Sequence, residues 1–195
     1  MNRFIHRLAR ERRGVTIVEF AIVAPVMLLL LFGLSDLLYR GYVQAILSGA
    51  VQKAGRDSTI EGGGQNAAAL DAAVAAIVRN VAPKATFSST RRSYAKFSNA
   101  APEPFVDSNG NGIRDPGECF TDINGNGVWD ADPGITGQGG ASDTTIYTMT
   151  ITYPRLFPLS ATLGWSATQT LSATTFLKNQ PYATQLVNTP ATICK

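Results

Sequence analysis

Residues 20–34 carry no charged and no strongly polar side chain, and this run constrains the chain more than any other feature in it. Joined to residues 15–18 upstream and 37–39 downstream, it approaches the ~20 apolar residues a helix needs to cross the hydrocarbon core of a bilayer. A secretory signal peptide is a competing reading. However, no small-x-small cleavage site follows the run, and helical spacing continues beyond it. The run is therefore read as a transmembrane helix. Arg3, Arg7, Arg10, Arg12 and Arg13 precede it, and Asp36 is the first charge after it. That asymmetry keeps the N-terminus in the cytoplasm and sends the remaining ~155 residues across the inner membrane, to the periplasmic or extracellular side.

The formal charge of +3 over 195 residues is unevenly placed. Residues 1–14 hold five Arg against Glu11, which leaves 12 Lys+Arg against 13 Asp+Glu, a net of −1, in the rest of the chain. The basic character thus belongs to a membrane-flanking segment, and a nucleic-acid face is excluded. The length suits one domain with a real core.

Beyond the bilayer, residues 36–56 (DLLYRGYVQAILSGAVQKAGR) keep apolar side chains at helical spacing, Leu37, Tyr42, Ile46 and Val51 among them. The membrane helix is expected to run on as one rod. Gly33, Gly41, Ala45 and Gly49 fall at multiples of four. They make a stripe that admits a close neighbour, either the chain's own outer domain or another subunit's helix. Three successive glycines in residues 61–65 (EGGGQ) end the rod.

Residues 66–81 place Leu70, Val74, Ile77 and Val78 on one side, with Asp71, Arg79 and Asn80 elsewhere. This predicts an amphipathic second helix that stops before Pro83. Residues 84–97 read as a strand through Thr86, Phe87, Thr90, Tyr94 and Phe97. Residues 144–153 alternate Ile146, Thr148, Thr150 and Thr152 with Tyr147, Met149, Ile151 and Tyr153, and residues 167–177 have similar character. Between these strands, residues 101–140 are rich in Gly, Asp, Asn and Pro and read as a long irregular insertion.

The expected fold is α+β: a long N-terminal transmembrane helix continuing as a stalk, a second helix, and a small antiparallel sheet with a long calcium-loop insertion. Its parts are a cleavable basic leader (1–14), the transmembrane and stalk helix (15–56), and an extracytoplasmic domain (57–195) carrying the insertion 101–140.

The basic leader ends in Gly14, followed by Val15, Thr16, Ile17 and Val18 and then by Glu19 and Phe20 at the mouth of the apolar run. This is a prepilin-peptidase pattern. With Pro25 inside the span and the small-residue helix after it, the segment resembles the TadE-like pseudopilins of tight-adherence (Flp/Tad) pili. The resemblance covers roughly the first 60 residues. It implies cleavage after Gly14, which leaves a mature chain of 181 residues from Val15 to Lys195. It also implies that Glu19 meets the new terminal amine of a neighbouring subunit, since a carboxylate at the rim of a span is costly unless paired. The implied partners are other pilin or pseudopilin subunits, the prepilin peptidase, the pilus assembly platform and membrane lipid.

The insertion holds its own pattern. Asp107, Asn109, Asn111, Asp115 and Glu118 stand at positions 1, 3, 5, 9 and 12 of one loop, with Gly112 at position 6 and the carbonyl of Ile113 at position 7. That is calcium-loop spacing, because a hard cation takes six to eight oxygens and the glycine permits the turn that folds the loop around it. Fifteen residues later Asp122, Asn124, Asn126, Gly127, Val128 and Asp130 repeat it. The twelfth position there is Pro133, with Asp132 beside it as the available carboxylate. Pro104, Pro116 and Gly117 rule out helical flanks, so an EF-hand domain is not expected. One or two calcium ions form one reading, and a pair of Asn-Gly turns with solvated carboxylates the other. Cys119 and Cys194 either pair in the oxidising compartment, pinning the C-terminal tail to the insertion, or stand as two thiols.

The only histidine, His6, lies in the leader, and no Gly-rich phosphate loop or nucleophile motif is present, so the residues support no enzyme. Two functions remain. One is a minor pilin or pseudopilin of a Tad-type pilus, and the other is a membrane- or filament-tethered, calcium-dependent adhesin.

Overall fold

The computed structural model describes residues 13–58, 67–157, 164–180 and 189–194. Residues 1–12 of the leader and the glycine-rich break at 61–65 lie outside the described residues, as do the side chains of Arg13, Gly14 and Val15. Helix α1 runs unbroken over Arg13–Ser58, 46 residues, with Pro25 inside it. It is long and apolar enough to cross a membrane, and none of its apolar window is buried within the protein. Ser35 turns its hydroxyl back to the Leu31 carbonyl at 2.8 Å, which satisfies a polar side chain within the helix.

Helix α2 covers Ala67–Arg79. The strands are β1 (Thr86–Tyr94), β2 (Cys119–Asp122), β3 (Ile135–Thr136), β4 (Thr144–Pro154), β5 (Thr168–Lys178) and β6 (Ala191–Cys194). The main sheet has the order β3-β1-β4-β5, and β2 pairs with β6 in a second sheet. β1 pairs antiparallel with β4 from Thr86 opposite Thr152 to Tyr94 opposite Thr144. Threonine hydroxyls meet across β4 and β5, Thr148 with Thr174 at 2.9 Å and Thr152 with Thr170 at 3.0 Å. Rising numbers on one strand face falling numbers on the other, so this pair is antiparallel too. The chain is α+β, as its patterning implies.

The chain divides into two compact units, Met1–Tyr42 with Pro154–Gln169, and Val43–Tyr153 with Thr170–Lys195. In the second unit the alternation of β4 puts Tyr147, Met149, Ile151 and Tyr153 on the buried face. Val43, Leu47, Ala50, Val51 and Ala54 of α1, with Val74, Ala75 and Val78 of α2, complete the core. A methyl group on Gly55 would lie 2.7 Å from Leu177 Cδ2 and 3.0 Å from Thr175 Cγ2. The glycine therefore lets α1 sit directly on β5.

Several expectations change. Helical spacing singled out Leu37 and Tyr42, yet both are exposed, and the first buried apolar side chain of the stalk is Val43. Among the described residues, a methyl on Gly33, Gly41 or Gly49 would meet nothing within 4 Å, so the stripe is open at these three positions. The first strand ends at Tyr94, and Phe97 opens a short 3-10 turn, Phe97–Asn99. The insertion is not wholly irregular: it contains β2 and β3, and β3 extends the main sheet through Arg92 opposite Thr136.

A polar cluster joins α2 to the sheet. Asp71 accepts from Ser89 Oγ at 2.6 Å, Arg91 Nη2 at 2.7 Å and Tyr147 OH at 2.7 Å, and the Arg91 guanidinium lies 4.3 Å from the Tyr147 ring centre. Burial alone would raise the Asp71 carboxyl, but the hydrogen bonds from Arg91, Ser89 and Tyr147 outweigh it and hold the group below its ordinary range. A depressed carboxyl stabilises the fold above its unfolded value and loses that contribution as pH falls through the folded one. Asp71→Asn is therefore expected to cost roughly 1–3 kcal/mol at neutral pH. Equilibrium unfolding should show the gap to wild type closing below about pH 4.

Candidate functional site

Two regions carry the residues singled out above. The first is the N-terminal part of α1, where Glu19 and Phe20 are both exposed on the helix surface at the start of the apolar run. Asp36, by contrast, is only 5 % exposed. It forms an ion pair with Arg155, and Gln169 Nε2 donates to it at 2.8 Å. A charge placed where the helix leaves the apolar run is thereby compensated.

The second region is the insertion. Gly110 and Gly112 adopt φ of 73° and 76°, and Gly125 and Gly127 adopt 80° and 77°. Only glycine reaches this left-handed region without cost, which lets each loop curl around its first aspartate. Asp107 Oδ1 accepts from the Gly110 N–H at 2.8 Å, and its Oδ2 from the Gly112 N–H at 2.8 Å. Asp122 does the same with Gly125 and Gly127, both at 2.7 Å. The backbone donors, led by Gly112, hold the Asp107 carboxyl below its ordinary range. Asn109 and Asn111 both donate side-chain nitrogens to Asp115 Oδ2 at 2.7 and 2.8 Å. Asn124 and Asn126 donate likewise to Asp130 Oδ2 at 2.8 and 2.6 Å. The two loops share these contacts, and Asp107 Oδ1 accepts in addition from the Asn111 N–H at 3.2 Å.

Their closures differ in origin. Glu118 closes the first loop, its Oε1 accepting from the Ser108 N–H at 2.7 Å and its Oε2 from the Asp115 N–H at 3.0 Å. In the second loop the matching donors are the N–H groups of Ile123 and Asp130, and both reach Glu103, at 2.7 and 3.0 Å. Glu103 is 1 % exposed and comes from the chain before the first loop. Asp132, the neighbour of Pro133, faces elsewhere: it accepts from Tyr94 OH at 2.7 Å and pairs with Arg92 at 3.0 Å. Burial and that carboxylate push the Tyr94 phenol up to about 12. Glu103 is thus the site residue that the loop spacing missed. The signal lay in the sequence, because Glu103 stands four residues before Asp107 as Glu118 stands four before Asp122.

β2 is the spine between the loops. Residues 104–106 run along one side of it, through Val106 N–H to the Cys119 carbonyl and Thr121 N–H to the Pro104 carbonyl, both 2.8 Å. β6 pairs along the other side, and Cys119 and Cys194, opposite each other in that register, are joined by a disulfide. Trp129 donates its indole N–H to the Glu103 carbonyl at 2.8 Å and meets Phe105 edge-on.

As a cation site the insertion offers carboxylates, amides and carbonyls, the chemistry of a hard ion. Yet among the described residues no three acidic, imidazole or thiol groups converge on one point, and the carboxylates are engaged with N–H donors. The amide oxygens of Asn109 and Asn111 accept from the Asn111 and Ile113 N–H groups, and those of Asn124 and Asn126 from the Asn126 and Val128 N–H groups, which turns their nitrogens toward Asp115 and Asp130.

Residues 14–56, most of α1, match the model of the family described as TadE-like protein. No curated protein and no solved structure matches the chain.

Proposed function

From a TadE-like N-terminal segment as the premise, we infer that the protein is a minor pilin or pseudopilin of a Tad-type pilus, matured by prepilin peptidase after Gly14. The observation that carries this reading is the family match over residues 14–56, which begins at the glycine before the expected cut. The exposed helix supports it further. Its apolar window is unburied among the described residues, a surface that suits lipid or other helices as its surroundings, and the open stripe of Gly33, Gly41 and Gly49 suits close helix packing. In an assembled filament Glu19 would face the amine of a neighbour's Val15, which neutralises a charge otherwise costly beside hydrocarbon.

Mature protein from cells with the peptidase is expected to begin at Val15, and Gly14→Ala is expected to retain the leader. N-terminal sequencing and intact mass decide this, and a mature terminus elsewhere overturns the reading. In the same cells Glu19→Ala should insert normally yet be depleted from sheared filaments.

A second reading, a calcium-dependent adhesin tethered to membrane or filament, is favoured by one observation: Glu103 gives the second loop the same closure that Glu118 gives the first. Two complete oxygen-rich loops in one insertion suit an ion-ordered outer surface. Under the pilin reading the same ions would order the outer domain.

A further inference from the structure

The segment Pro154–Gln169 belongs to the same compact unit as the N-terminal half of α1. Phe157 stacks on Phe32 with ring centres 4.9 Å apart. Phe32 lies inside the apolar run, four residues before Asp36, or ~6 Å along a helix axis. Whatever depth Phe32 has in a bilayer, Phe157 shares. Around it, Leu156 is 53 % and Trp165 47 % exposed. Arg155 anchors the segment: it pairs with Asp36, donates Nε to the Ser166 carbonyl at 2.8 Å, and holds its guanidinium carbon 5.3 Å from the Trp165 ring centre. A cavity of about 400 Å³ opens here, lined by Asp36, Arg40, Arg155 and Trp165 among others, with two guanidinium groups against one carboxylate.

We propose that residues 154–157 and 164–169 form a foot that rests in the bilayer surface, with Leu156, Phe157 and Trp165 at headgroup depth and Arg40 and Arg155 facing lipid phosphate. This rests on the reading of α1 as a membrane span. The occupant is lipid because the foot touches the apolar helix through Phe157 on Phe32 and carries the mixture of aromatic and cationic groups that the membrane–water interface favours. Excess positive charge in the cavity complements the phosphate layer.

The test uses the full chain with Trp129→Phe, so that Trp165 is the only tryptophan, reconstituted in phosphatidylcholine vesicles. Lipid brominated near the headgroup end of its acyl chains should lower Trp165 emission at least about twofold, and more than lipid brominated near the bilayer midplane. Aqueous iodide should quench it less than it quenches free N-acetyltryptophanamide. Full iodide quenching without bromine quenching overturns the proposal. Protection from iodide without bromine quenching also overturns it, because the cover is then protein. Alkaline carbonate applied to the same vesicles separates the two readings: a chain that is extracted defeats the span and the foot together, whereas a chain that stays while Trp165 remains unquenched by lipid defeats the foot alone.

Discussion

Free calcium at a hundredfold excess over its dissociation constant is expected to stabilise the protein by about 2.7 kcal/mol for each loop that binds, since an ion held only by the folded state adds stability in proportion to the logarithm of that excess. For a domain of this size that is a rise in Tm of roughly 5–10 °C per loop relative to chelator. The reason is charge. Seven acidic side chains between Glu103 and Asp132 face a single basic one, Arg114, and ligation both neutralises carboxylates and fixes loop backbone. Asp107→Ala with Asp122→Ala should remove most of the rise. Magnesium should substitute poorly, because it demands a tight octahedral cage. The two loops can be separated: Trp129 lies in the second, so Glu103→Gln should abolish its fluorescence response to calcium while Asp107→Ala leaves it. No change in Tm or Trp129 emission for the wild type would leave the loops as Asn-Gly turns and remove the support for the adhesin reading.

Loss of the disulfide is the second large effect. Cys119 and Cys194 are 75 residues apart in sequence, and in the chain-entropy account closing a loop of that size stabilises by about 4 kcal/mol. β6 is four residues long and its partner is β2, a short pair that would be marginal without the covalent link. Cys119→Ser with Cys194→Ser, or reduction of the wild type, is expected to lower the unfolding midpoint by the corresponding amount in a denaturant titration. Equal midpoints for oxidised and reduced protein would refute it.

What could be read in advance was what local pattern encodes. An apolar run with basic flank, the 3.6-residue spacing of α2 and the alternation of β4 depend on neighbours within a few residues, and they appear close to their expected bounds. Apart from Cys119 with Cys194, which the sequence offers as one of two alternatives, long-range pairings did not show. Asp36 and Arg155 are 119 residues apart, and nothing near either names the other. β6 has the short, largely exposed sequence ATIC, without an alternating apolar face, so its strand character comes from β2 and the disulfide. Leu37 and Tyr42 fit helical spacing as well as Val43 and Leu47 do, and periodicity alone cannot say which face of a rod meets a domain and at which residue that contact starts. Glu103 is the intermediate case: its partners are 20 and 27 residues away, but a repeat extended four residues upstream would have named it.

The crossed closure of the two acidic loops makes them a domain swap within one chain. Each fifteen-residue copy runs from a glutamate through a short stretch beside or within β2 to a loop, and each glutamate completes the loop of the other copy: Glu118 closes the loop begun by Asp107, and Glu103 the loop begun by Asp122. A point substitution can silence one loop, but the two copies cannot be cut apart cleanly. Excising one copy would not leave one working loop but one loop and one glutamate that belong to different partners, so the element can be gained or lost only as a doublet.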